Sequence, residues 1–182
     1  LLVCALAWAA APAIEVGEIN GAQFRIEVPE TWNGVLLMYC HGYSATPGRF
    51  EGAKPNPVLA ALLNEGYAVA QSGYAAGGWA IPEAVQDTEA LRRYFIRKYG
   101  VPKETYVTGH SMGGFLTMLL VEQFPTAYDG GLALCGLLAP ITWFGARRVL
   151  DLRVVFDYYF PEVLPSPVKT PVDYARSAER TK

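Results

Sequence analysis

The most informative chemical motif in the chain is a serine flanked by glycines. Residues 109–113 read Gly-His-Ser-Met-Gly, with Ser111 at the centre. The motif lies between a segment that predicts a strand and an apolar segment that predicts a helix. Because Gly109 and Gly113 have no Cβ atom, the strand and the helix can approach closely and expose the serine hydroxyl group on a sharp turn. We therefore predict that Ser111 is a catalytic nucleophile.

Backbone N–H groups are predicted to stabilise the negative charge that such a nucleophile creates on a carbonyl oxygen. Met112 would open the helix, where N–H groups have no intrahelical acceptor and the helix dipole favours an anion. The segment His41-Gly42-Tyr43 would supply the second donor, the Tyr43 N–H group, because Gly42 lets the loop come close. His41 is interpreted as a structural residue of this loop, and His110 is expected to point back into the helix packing.

Alternating strands and helices are predicted to position these residues. Segments 15–19 and 23–28 flank Asn20-Gly21, a dipeptide that is typical of a two-residue hairpin turn. The apolar patterns predict buried strands over 35–39, 67–71, 105–108 and 131–135, and helices over 57–65, 82–99 and 112–124. The predicted fold class is α/β, with a mostly parallel sheet, helices on both faces and an N-terminal antiparallel hairpin.

The hairpin, the His-Gly loop and the Gly-His-Ser-Met-Gly-Gly motif together resemble the α/β-hydrolase superfamily, over residues 15 to about 135. The likeness is to secreted bacterial serine esterases, lipases and peptidases. It implies that Ser111 follows the fifth strand of an eight-stranded sheet. It also implies hydrolysis of a small or polymeric carboxylic ester through an acyl-enzyme. A serine peptidase of the prolyl-peptidase or aminopeptidase type and a non-catalytic binding module on the same scaffold are the alternatives.

Loop aromatic residues are expected to border the substrate pocket. Tyr43 would stand at its mouth, and Tyr74 and Trp79 follow the fourth strand, in a loop that often borders the cleft of the family. Core packing is the alternative for these last two residues. Residues 140–182 are expected to form an incomplete cap, whose Trp143 would line the acyl pocket unless the cap aromatics pack among themselves.

The resemblance also exposes a missing component. The family orders its triad as Ser, then Asp or Glu, then His. The histidines of the chain, His41 and His110, both precede Ser111. We expect the triad acid and histidine to lie beyond residue 182, so that this chain is the N-terminal portion of the enzyme and a poor catalyst by itself. A complete protein that has lost catalysis is the alternative.

Composition excludes several classes of function. Charged residues make up 18% of the chain and its formal net charge is −2, without a Lys/Arg cluster, so a nucleic-acid partner is not expected. No His/Cys group has the spacing of metal ligands and no glycine-rich phosphate loop occurs, so we expect neither a metal nor another cofactor. The oligomeric state is left open.

The first thirteen residues indicate export. They are uncharged and end in alanines with the spacing of a signal-peptidase site, so residues 1–13 are predicted to be the remnant of a signal peptide, followed by a core over 14–139. The run is too short for a stable membrane span. We expect a secreted or periplasmic protein. Cys40 and Cys135 are expected to be free, buried thiols, with a disulfide as the alternative.

Overall fold

The structure, a computed structural model, describes residues 13–52, 56–140, 143 and 149–166. The chain divides into two compact units after Leu138, one residue before the end of the predicted core at 139. The predicted leader lies outside the described residues except for Ala13, which begins the first strand. The leader and the cap function of residues 140–182 stay predictions.

The first unit is built on a sheet with the strand order β1-β2-β4-β3-β5-β6. The hairpin strands β1 and β2 are antiparallel, β2 pairs with β4 in the antiparallel direction, and the remaining neighbours are parallel. The predicted fold class is therefore confirmed. The strands are β1 Ala13–Ile19, β2 Ala22–Val28, β3 Val35–Cys40, β4 Ala68–Ser72, β5 Glu104–His110 and β6 Gly130–Leu134.

Helices follow β3, β4 and β5, as the sequence predicts. They are α1 Pro57–Asn64, α2 Ile81–Tyr99 and α3 Met112–Gln123. The side chain of Asn56 caps α1 by accepting a hydrogen bond of 2.9 Å from the Val58 N–H group. Helix α2 ends at Gly100, whose φ of 98° is a conformation that favours glycine.

Side chains alternate across β3 and divide the core into two parts. Leu36, Met38 and Cys40 belong to the larger apolar cluster, which includes residues of α2 and α3. Leu37 belongs to the smaller cluster under α1, and Tyr39 packs against that cluster. Because strand side chains point to opposite faces with a period of two, α1 covers one face of the sheet and α2 and α3 cover the other.

The hairpin turn takes the predicted form. Asn20 and Gly21 have φ values of 53° and 84°, so both central residues are left-handed. This is the requirement of a type I′ turn, whose twist matches that of the flanking strands. The turn pairs Ile19 with Ala22 and sets the register of β1 against β2.

The expected burial of the last strand is wrong. β6 lies at the edge of the described sheet, and the exposed fractions of Leu132 and Leu134 are 62% and 43%. Cys135, which follows the strand, is an exposed free thiol, whereas Cys40 is free and buried as predicted. An apolar run alone does not distinguish a central strand from an edge strand, since its neighbours decide the burial.

The second unit contains α4 Leu150–Tyr159. Trp143 is helical with an exposed fraction of 50%. Phe156 and Phe160 pack on each other with ring centroids 5.1 Å apart. These contacts agree with the alternative in which the aromatic residues of the predicted cap pack among themselves.

Candidate active site

Ser111 is the single residue between the end of β5 and the start of α3. Its φ and ψ angles are 56° and −120°, and the residue is exposed. A left-handed φ is unfavourable for a residue with a Cβ atom, and such strain concentrates at functional sites. The Ser111 N–H group donates a hydrogen bond of 2.9 Å to the carbonyl oxygen of Leu134, which ties the turn to β6.

The two motif glycines allow the close packing that this turn requires. A Cβ atom on Gly113 would collide with the carbonyl oxygen of Cys40 at the end of β3. A Cβ atom on Gly109 would lie 2.6 Å from the carbonyl oxygen of Gly113 and would also collide with Cys40. The first turn of α3 therefore lies directly on the backbone of β3, as the glycine spacing predicts.

The loop after β3 lies against the residue that precedes Ser111. A Cβ atom on Gly42 would be 3.1 Å from Nε2 and 3.3 Å from the carbonyl oxygen of His110. Gly42 is buried and Tyr43 is exposed by 60%. The structure thus brings the predicted second donor loop beside the serine turn. Met112 lies in the first turn of α3, where N–H groups lack an intrahelical acceptor.

His41 is held inside its loop by three contacts. Its Nδ1 donates to the Gly42 carbonyl oxygen at 2.6 Å, its ring stacks on Tyr74 with centroids 4.0 Å apart, and its carbonyl oxygen accepts from the Tyr74 hydroxyl group at 3.4 Å. Burial lowers the pKa of His41, although backbone carbonyls of Gly42 and Gly73 oppose this effect. A neutral, stacked imidazole supports the structural interpretation of this residue.

His110 does not point back into the helix packing, and that expectation is wrong. Its Nδ1 lies 3.0 Å from the Tyr39 hydroxyl group, and the two rings stack at 6.4 Å. The period of β5 explains the direction, since Tyr106, Thr108 and His110 are two residues apart and share the α1 face of the sheet. The sequence predicts this direction for the His110 side chain if β5 is extended from residue 108 to residue 110.

Neither histidine forms a hydrogen bond with the serine hydroxyl group. Within the described ranges, no side chain forms a hydrogen bond with Ser111 Oγ. His41 Nε2 is buried and has no hydrogen-bond partner among the described residues. A general base for Ser111 is therefore not supplied by the part of the chain that the structure describes.

The predicted pocket residues lie in three different situations. Tyr74 is buried, with an exposed fraction of 1%, so the core alternative is correct for it. Trp79 is 46% exposed and stacks on Phe115, a residue of α3 that sequence reasoning missed. The sequence spacing could have indicated Phe115, because a residue four positions after Ser111 lies one helical turn further along α3. Trp143 belongs to the second unit, so its place in a pocket stays a prediction.

A groove of about 1080 Å³ lies on the α1 face of the sheet. Side chains of α1, β3, β5 and β6 line it, among them Leu59, Tyr106 and Leu132. Ser111 is not among its lining residues, so this groove does not contain the candidate site.

Two further kinds of feature are absent from the described residues. No group of three or more His, Cys, Asp or Glu side chains there is arranged to hold a metal ion. No described helix combines the length and apolar character needed to cross a bilayer.

Comparison with known families identifies the class of this protein. Residues 35–180 match the model of the alpha/beta hydrolase family. The chain belongs to the alpha/beta hydrolase family. It is also 29% identical, over 128 residues, to an o-phthalyl amidase from Xanthobacter agilis. The match covers 66% of this chain and 26% of the amidase, so the chain spans about a quarter of that relative.

Solved structures with the same fold include esterases and a peptidase. The acylaminoacyl peptidase from Pyrococcus horikoshii has a TM-score of 0.56 and 16% identity, covering 74% of this chain and 25% of the peptidase. The acetyl xylan esterase from Aspergillus awamori has a TM-score of 0.54 and 16% identity, and the match covers 68% of this chain and 52% of the esterase. The rice cell wall degrading esterase from Xanthomonas oryzae has a TM-score of 0.54 and 15% identity, and the match covers 80% of this chain and 49% of the esterase.

Proposed function

We propose that Ser111 is the nucleophile of a serine hydrolase that cleaves carboxylic esters. The observation that carries the proposal is the exposed Ser111 at a φ of 56° between β5 and α3, with the Gly42 loop packed against its neighbour. In family enzymes, a serine on such a strand–turn–helix junction attacks the substrate carbonyl group. The likeness to esterases supports the choice of ester substrates.

The proposed reaction proceeds in two steps. Ser111 Oγ bonds to the carbonyl carbon, its proton passes to a base and then to the leaving alcohol, and the ester C–O bond breaks. The N–H groups of Met112 and Tyr43 stabilise the oxyanion, because both come from backbone that lies beside the serine turn. Water then attacks the acyl-enzyme and releases the acid.

The base is proposed to be a histidine outside these 182 residues. His41 is neutral and stacked on Tyr74, and His110 is bonded to Tyr39, so both have structural contacts that a base for Ser111 would have to break. The matches cover about a quarter of the amidase and of the peptidase and about half of the Xanthomonas oryzae esterase, so each of these proteins is longer than the matched part. We further propose export of the protein, on the pattern of residues 1–13.

Amide hydrolysis is the second candidate function. It is supported by the sequence relative, which is an o-phthalyl amidase. The same nucleophile and oxyanion donors would act on an amide carbonyl, with an amine as the leaving group. Rates on an ester and an amide that share one acyl group separate the two candidates.

Labelling with a fluorophosphonate tests the nucleophile. The full-length protein is expected to form one adduct, on Ser111, and Ser111→Ala is expected to abolish both the adduct and ester turnover. Ser44→Ala is the matched control, since among the described residues the Ser44 hydroxyl group bonds to the Thr46 carbonyl oxygen of its own loop, at 2.6 Å, and to no other group. An adduct on another serine, or full turnover by Ser111→Ala, would overturn the proposal.

A further inference from the structure

An aromatic pair joins the loop between β4 and α2 to α3, the helix that follows Ser111, and it has no part in the chemistry above. The rings of Trp79 and Phe115 stack with centroids 6.3 Å apart and an interplanar angle of 21°. Phe115 is half-buried, whereas Trp79 leaves 46% of its surface exposed. A large apolar ring that is anchored on one side and open on the other can accept an apolar group from solution.

Phe115 connects this pair to the nucleophile. Its N–H group donates a hydrogen bond of 3.2 Å to the Ser111 carbonyl oxygen, so Phe115 lies one helical turn after the serine. Residues four apart lie on the same side of a helix. The neighbouring Met112 and Leu116 are buried in the core, while Ser111 is exposed and Phe115 is partly exposed. The Phe115 ring is therefore on the side of α3 that begins at the serine.

Trp79 is connected to the opposite side of the site, the loop that contains Tyr43. The Gly78 N–H group donates a hydrogen bond of 2.7 Å to the Ser44 carbonyl oxygen, and these two residues form an isolated β-bridge. Gly77 fits closely against this loop, since a Cβ atom there would lie 2.7 Å from the Thr46 Cα atom. The Trp79 loop is thus fixed to the proposed oxyanion loop.

We propose that Trp79 and Phe115 form the acyl-group subsite, and that this subsite takes a planar aromatic acyl group. The proposal rests on the proposed function, since an acyl group must extend from a carbonyl carbon held between Ser111 and the Tyr43 loop. The Phe115–Ser111 and Gly78–Ser44 hydrogen bonds connect the aromatic pair to the two segments that would hold this carbon. A flat ring can stack on the Trp79 indole, which is 46% exposed, whereas a saturated ring of similar size fills the space without stacking.

Hydrolysis of matched esters by the full-length protein tests the subsite. The p-nitrophenyl esters of benzoic, cyclohexanecarboxylic and acetic acid share one leaving group and differ only in the acyl group. The ratio of kcat/KM for benzoate over cyclohexanecarboxylate is expected to fall about fivefold in Trp79→Leu, the size of an aromatic stacking contribution. Trp79→Phe should retain most of the ratio because it keeps an aromatic face. Phe115→Leu, which removes the supporting ring, should lower the ratio in the same direction.

Tyr106→Leu is the matched control, because it replaces an aromatic residue at the start of β5, far along the strand from Ser111. It should leave the ratio unchanged and keep acetate turnover within about twofold of that of the unmodified protein. An unchanged ratio in Trp79→Leu, with acetate still hydrolysed, would overturn the subsite while leaving the nucleophile intact.

The opposite failure is distinguishable. If none of the esters turns over and Ser111 forms no fluorophosphonate adduct, the proposed function is contradicted. Binding of sodium benzoate, followed by ligand-observed NMR, then decides the subsite separately. Equal binding of benzoate by the unmodified protein and by Trp79→Leu would overturn it.

Discussion

The Tyr39 hydroxyl group and the His110 imidazole ring form a hydrogen bond of 3.0 Å at the carboxyl ends of β3 and β5. Nε2 of the same imidazole lies against Gly42, where a Cβ atom would be 3.1 Å away. The ring therefore lies between Tyr39 and the proposed oxyanion loop, and it is the residue next to Ser111. We therefore expect the His110 ring to help set the distance between the Gly42 loop and the serine turn.

Removal of the Tyr39 hydroxyl group should disturb this distance without removing a catalytic group. In Tyr39→Phe, the lost hydrogen bond is expected to cost about 0.5–1.5 kcal/mol of stability. We expect kcat for p-nitrophenyl acetate to fall about two- to tenfold with KM little changed, because the proposed oxyanion donors would act mainly on the transition state. Steady-state kinetics and urea unfolding measure both effects. A kcat equal to that of the unmodified protein would show that the contact has no positioning role.

Gly113 should not tolerate even a methyl group. In Gly113→Ala, the Cβ atom would collide with the Cys40 carbonyl oxygen and approach the His41 carbonyl oxygen at 2.9 Å, and backbone atoms cannot rotate away. Overpacking of this kind costs about 1–3 kcal/mol, and the shift of α3 should lower kcat strongly. Gly130→Ala is the control, since its Cβ atom would meet only the Tyr106 ring, at 3.2 Å. Chemical denaturation of the two variants provides the comparison, and equal stabilities would contradict the packing argument.

The strained backbone of Ser111 predicts a gain in stability when glycine replaces it. A left-handed conformation of a non-glycine residue costs about 1–3 kcal/mol, and the entropy of glycine in the unfolded chain offsets about 0.5–1 kcal/mol of the relief. The free energy of unfolding of Ser111→Gly should therefore exceed that of Ser111→Ala by about 1 kcal/mol, and Ser111→Gly should unfold at a higher urea concentration. Both variants lack the hydroxyl group, so the comparison isolates the backbone. An alanine variant as stable as the glycine variant would argue against strain at φ 56°.

Local chemistry made much of this fold predictable. Asn20-Gly21 determines a left-handed turn, and Gly109 and Gly113 permit one close crossing of strand and helix, so both features follow from the nature of single residues. The exposure of Leu132 did not follow, because the burial of an edge strand depends on what packs beside it. The stacking of Trp79 on Phe115 did not follow either, since it joins a loop to a helix 36 positions later in the chain.

The Glu15 carboxylate, which joins β1 to α2, predicts the acid sensitivity of the fold. It accepts hydrogen bonds of 2.5 Å from the Tyr94 hydroxyl group, 2.7 Å from Lys98 Nζ and 2.7 Å from the Tyr99 hydroxyl group. Burial alone would raise the pKa of Glu15, but the bonds from Lys98 and the two tyrosines outweigh it and lower the pKa below the ordinary value of 4.5. The unfolded chain therefore binds a proton at a higher pH than the folded one. The stabilisation is complete above pH 4.5 and is lost as the pH falls through the lowered pKa.

Glu15→Gln should destabilise the protein by about 1–2 kcal/mol at pH 7, a value that allows for the partial exposure of the carboxylate. Below pH 4 the destabilisation should be smaller. Urea unfolding from pH 3.5 to 7 measures the difference, with Glu18→Gln on the same strand as the control for net charge. A gap between Glu15→Gln and the unmodified protein that stays constant down to pH 3.5 would show that these bonds do not favour the ionised carboxylate.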